Sequence, residues 1–93
     1  MQSPLELPGV REKLVKAVRK AVTQRKQRGW DEYVYWMMEQ DGWDEVLQEL
    51  GPETYAAFDA WFEQKGAYPT PDVADIFSRE EMKVFGKSVP SDV

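Results

Sequence analysis

Glycine and proline divide this chain into pieces that suit helices and little else. Gly29, Gly42, the pair Gly51-Pro52, Gly66, Pro71 and Gly86 punctuate the sequence at intervals of helical length. Between them apolar residues recur three and four apart, and no stretch alternates apolar and polar residues over the length of a strand. Tyr33-Val34-Tyr35-Trp36 has the composition of a strand, but its acidic start and the Met-Met-Glu-Gln that follows favour a helix. The expected fold is all-α: a compact single-domain bundle of five or six short helices.

The first helix is expected from Pro8 or Val10 to about Arg28. Val10, Leu14, Ala17, Val18, Ala21 and Val22 fall on one apolar face, with Lys13, Lys16, Arg19 and Lys20 opposite. Gly29-Trp30-Asp31-Glu32 is echoed by Gly42-Trp43-Asp44-Glu45. Read as a stop followed by an acidic helix start, the echo predicts helices over 31–40 and 44–50. Pro52 opens the next helix, which Gly66 closes near Lys65. Tyr68-Pro69 and Thr70-Pro71 keep the chain out of helix just beyond. Ser78-Arg79-Glu80-Glu81 fits a capping box, which divides the last segment into helices over 71–77 and 79–85. That pair raises a helix-turn-helix reading with Arg79, Lys83 and Lys87 on one face, opposed by Glu80 and Glu81. Residues 1–7 are expected to be a loose lead-in and residues 87–93 a flexible tail. The predicted core is Leu14, Val18, Val22, Trp36, Phe58, Trp61, Phe62, Ile76 and Phe85.

Ninety-three residues make one domain, and the 42% of apolar residues suffice for one core. Neither cysteine nor histidine is present, so thiol nucleophiles, Cys- or His-ligated metals and imidazole acid–base chemistry are closed to the chain acting alone. Asp41, Asp44, Glu45 and Glu49 lie close together in sequence. A calcium loop with Gly42 at its sixth position would need an acid at Met37 and a bidentate acid at Gln48, and has neither. There is no glycine-rich phosphate loop and no nucleophile elbow. The expectation is no catalysis, no metal and no cofactor.

No charged stretch followed by an apolar one opens the sequence, so no secretory leader is expected. The longest apolar run, Tyr33 to Met38, is too short for a membrane span, and the expected compartment is the cytoplasm.

Two surfaces remain as candidate sites. The net charge of −5 conceals an asymmetry: residues 11–28 carry eight basic residues and one acid, Glu12, whereas the rest of the chain is strongly acidic. Lys13, Lys16, Arg19, Lys20 and Lys26 are therefore candidates for an anionic partner. The second surface is the aromatic segment 31–40, apolar around most of its circumference. Tyr35 and Met38 point away from the side defined by Tyr33, Trp36 and Met37, and with Trp30 they form a candidate protein interface.

Together these features predict a non-enzymatic protein–protein interaction module, such as a small inhibitor, adaptor or accessory subunit. Its partner would be another protein, a second copy of the chain being one form. The alternative is a nucleic-acid-binding protein using residues 11–28. It has the cations but no aromatic residue among them to stack a base, and an acidic body that repels a polyanion.

Overall fold

A computed structural model describes residues 3–38 and 41–86, with only the backbone of Met38 and Asp41. Five α-helices follow a single 3-10 turn, Pro4–Glu6: α1 (Val10–Lys26), α2 (Trp30–Met38), α3 (Asp41–Gln48), α4 (Pro52–Lys65) and α5 (Pro71–Phe85). The all-α bundle expected from periodicity is the fold, and the described residues contain no strand.

Helix α1 is the axis of the packing. It lies most extensively against α5 and also touches α2, α3 and the N-terminal turn. The stripe Val10, Leu14, Ala17, Val18 and Val22 is buried along its length, as its spacing requires. Tyr33 of α2, Trp43, Val46 and Leu47 of α3, Phe58 and Phe62 of α4, and Val73, Ile76 and Phe77 of α5 meet it in one continuous core. Trp36, Trp61 and Phe85, expected inside, instead pack against the margin of that core and stay partly exposed.

Three local expectations are corrected. The segment after Thr70 is one uninterrupted helix, so Ser78 lies in its interior and caps nothing. With no turn at Ser78 the helix-turn-helix reading lapses. Glu80 and Glu81 belong instead to the buried face that Val73, Ile76 and Phe77 begin, one turn further on.

Gly42 does not stop a helix either. It sits in the first turn of α3, buried against α2. A Cβ at this position would lie 2.5 Å from Met37 Sδ and 3.0 Å from Trp36 Cε3. A side chain at this position would have to displace the Met37 thioether and press on the Trp36 indole, so the close approach of α2 and α3 favours glycine. Gly66, by contrast, ends α4 in the left-handed conformation at φ 68°, as the sequence suggests.

The N-terminal lead-in is also tied down within its described part. Ser3 accepts a hydrogen bond from the Leu5 amide at 3.2 Å and donates to Asp72 at 2.9 Å, while Pro4 and Leu5 are buried. Residues 87–93, expected as a tail, lie outside the described residues, Lys87 among them.

Candidate interaction surface

The outer side of α1 divides its basic residues into two groups. Arg19 is held by α5: its Nε lies 2.7 Å from Glu80, whose side chain is only 4% exposed. Glu80 also receives Lys83 at 3.1 Å. Burial is the largest single influence on the Glu80 carboxyl and opposes its ionisation. The hydrogen bonds and charges of Arg19 and Lys83 together outweigh it and hold the group below the ordinary carboxylate value. Arg25 is held by α3 and α2, with Glu45 at 3.2 Å and its guanidinium 4.4 Å from the centre of the Trp36 ring.

Lys13, Lys16 and Lys20 have no acidic partner within ion-pair distance among the described residues. They are exposed and follow one another at i, i+3 and i+7, which puts them in one row. With Ala17 they form one wall of an open groove of ≈ 380 Å³, and Glu49 and Leu50 at the end of α3 form the other. The lining therefore combines three cations, one carboxylate and the apolar side chains of Ala17 and Leu50.

The anionic-partner residues read from the sequence are thus separated by the fold. Lys13, Lys16 and Lys20 are brought together, Arg19 is engaged with a buried acid, and Lys26 is exposed at the end of α1 outside the groove. Glu49 and Leu50 come from a distant part of the sequence, and no local signal links them to the lysines.

The second candidate surface is assembled less completely. Tyr35 is 66% exposed. Trp30 is partly buried: its ring stacks on Tyr33 at 5.9 Å and meets the Phe85 ring edge-on at 4.9 Å. Trp30 therefore closes the margin of the core, while Tyr35 on the same helix looks outward. The side chain of Met38 lies outside the described residues. Leu7, Tyr68 and Met82 are further exposed apolar side chains, none of them singled out from the sequence.

The acids clustered between Asp41 and Glu49 serve other tasks. Asp44 accepts from the Tyr55 hydroxyl at 2.6 Å and from Gln48 at 2.9 Å, Glu45 pairs with Arg25, and Glu49 lines the groove. Asp41 contributes no described side chain. Among the described residues no group of three or more acids is placed to hold a metal ion. No helix among them is long and apolar enough to cross a membrane.

The polar centre of the molecule was not anticipated. The buried Tyr33 hydroxyl donates to Glu81 at 2.6 Å. Burial, then that hydrogen bond and the charge of Glu81, push the phenol far above its ordinary value. The signal was present in the register, because Glu80 and Glu81 stand four residues after Ile76 and Phe77. No known protein family, no characterised protein and no solved structure matches the chain.

Proposed function

We propose that this chain is a non-catalytic module that binds another protein, as a small inhibitor, adaptor or accessory subunit does, and that it binds through the α1–α3 groove. One observation carries the reading. Lys13, Lys16 and Lys20 line a groove together with Ala17, Leu50 and Glu49 and have no acid within ion-pair distance among the described residues, although the chain is rich in acids and supplies partners for Arg19 and Arg25. A cationic row left open beside apolar surface suits a protein ligand, which offers carboxylates and apolar side chains together.

The same row of cations favours nucleic acid as the second reading. Against it stand Glu49 on the facing wall and a lining without any aromatic ring on which a base could stack. The compartment proposed is the cytoplasm.

The test is capture of partners from the native cell with the intact chain and with a Lys16→Glu, Lys20→Glu variant, before and after nuclease digestion. The reading expects a specific protein retained through nuclease treatment and lost with the variant. Retention that depends on nucleic acid would replace it with the second reading.

A further inference from the structure

The lining of the groove narrows the chemistry of what it takes. This step rests on the protein-binding reading above and adds the nature of the segment bound.

Lys13 to Lys20 spans seven residues of helix, about 10 Å at the rise of an α-helix. Within it the cations are spaced at three and then four residues. A second helix lying alongside presents carboxylates at the same intervals when they occupy i, i+3 and i+7, so three charge pairs form in one register. An extended strand repeats its same-face side chains at roughly 6.6 Å throughout, near the four-residue step of the row but longer than the three-residue one, so it follows the row less well. Ala17 is small and lies between the lysines in sequence, and Leu50 rises from the opposite wall. Apolar residues flanking an acidic row would rest on these two. Glu49, on the far wall, repels a uniformly anionic ligand and favours one with a cation on its other edge.

We infer that the groove between α1 and the end of α3 receives an acidic amphipathic helix of a partner protein, with its carboxylates along Lys13, Lys16 and Lys20 and its apolar residues on Ala17 and Leu50. This is helix-in-groove recognition with the charge pattern fixing the register. Salt weakens the charge pairs, while the contacts with Ala17 and Leu50 persist.

Binding to the full chain is measured by fluorescence anisotropy with three probes. The first is a synthetic helical peptide of about 18 residues with Glu at i, i+3 and i+7 beside Leu and Ala, long enough to hold its helix. The second has the same composition permuted so that the register is lost. The third is an oligothymidylate. The first peptide should bind about tenfold or more tightly than the second, as the sum of three modest charge pairs and an apolar contact. Lys16→Glu with Lys20→Glu should remove that advantage, and Lys26→Glu, outside the groove, should change affinity by less than about twofold. Melting curves check that each variant folds. Equal affinity for the two peptides, still sensitive to Lys16 and Lys20, overturns the helical register and leaves the protein-binding reading standing. Tighter binding of the oligothymidylate, also lost in the double variant, overturns both. No binding of the first peptide at about 0.1 mM overturns the inference, that concentration being a weak-affinity limit.

Discussion

The hydroxyl of Tyr33 donates a 2.6 Å hydrogen bond to the carboxylate of Glu81, between two side chains almost wholly removed from water. The bond joins α2 to α5 within the core, and the rings of Trp30 and Phe85 pack on the Tyr33 ring at the core margin. A polar link inside so small a core restricts how one helix sits on the other, because a buried donor and acceptor must stay within reach of a partner. Tyr33→Phe keeps the ring and removes the donor. The expected loss is about 1–3 kcal/mol, the usual cost of removing a hydrogen-bond partner from a buried acceptor. Denaturant unfolding of the two proteins measures it, and unchanged stability would show that the link is dispensable.

Glu80 sets a dependence on acid. Its carboxyl is held below its ordinary value of 4.5 in the folded chain by Arg19 and Lys83. A carboxyl with a lowered folded pKa contributes stability above the unfolded value and loses it as the pH falls through the folded one. Asp72 adds in the same direction: burial opposes its ionisation, and hydrogen bonds from Thr70, Ser3 and the Val73 amide more than offset this. Unfolding free energy should therefore fall as the pH drops below about 4.5, and Glu80→Gln should flatten the decline. Parallel slopes for variant and parent would remove Glu80 from the account.

Gly42→Ala separates two opposed effects. Alanine favours a helix by up to about 1 kcal/mol over glycine. The added methyl, however, would press on Trp36 at 3.0 Å and on Met37 at 2.5 Å. The thioether can swing aside, but the indole is braced by Tyr33 and Arg25 and yields less. Overpacking costs typically 1–3 kcal/mol, so a net loss of about 1 kcal/mol is expected by thermal unfolding. A stabilised variant would mean that α2 and α3 have room to part.

The contrast between α1 and α5 shows what is legible in a sequence of this kind. The apolar stripe of α1 contains no polar intruder, so periodicity alone places its buried face, while the helix ends at Lys26, two residues before the expected Arg28. In α5 the inward register passes through Glu80 and Glu81, and a local rule at Ser78 reads them as a helix start. Tertiary partners, Arg19 sixty-one residues away and Tyr33 forty-eight away, are what permit two acids in the core. Gly42 fails for a related reason: whether a glycine ends a helix or admits a neighbour depends on that neighbour. The cationic side of the groove was legible in the lysine spacing, whereas its facing wall, Glu49 and Leu50, is a product of how α3 packs on α1.

Trp30 and Tyr35 share one helix and should respond in opposite ways. Trp30 covers Tyr33 and Phe85, so Trp30→Ala opens the core margin and should cost about 2–4 kcal/mol, the lower part of the range for large aromatic truncations, since the ring is only partly buried. Tyr35 is 66% exposed, and Tyr35→Ala should change stability by less than about 0.5 kcal/mol. Melting curves of the two single variants decide this. A large loss at Tyr35 would show that its ring contributes to the fold and would end its standing as an interface residue.

Charge reversal along α1 tests whether the division of its basic residues has consequences. Lys16 and Lys20 are exposed in the groove with no acid within ion-pair distance among the described residues, so reversing both should leave folding stability within about 0.5 kcal/mol. Arg19 is a neighbour in sequence with the same formal charge and a large exposed portion, but its head group meets a carboxylate that has left water. Arg19→Glu sets two anions against each other there and leaves Lys83 as the remaining cation on Glu80 among the described residues. Breaking a buried pair from one side costs about 3–5 kcal/mol. Because Arg19 itself is more than half exposed, water can screen the new repulsion, and a loss of roughly 2 kcal/mol is expected. Restoring neutrality with Glu80→Gln in the Arg19→Glu background should recover part of that loss, since the repulsion then has only one charged member. Any binding defect of Arg19→Glu must therefore be read beside its melting curve, whereas a defect at Lys16 and Lys20 reports on the groove. Equal stability of all three reversals would mean that Glu80 tolerates burial without Arg19, and Arg19 would then rejoin the lysines as part of the docking face.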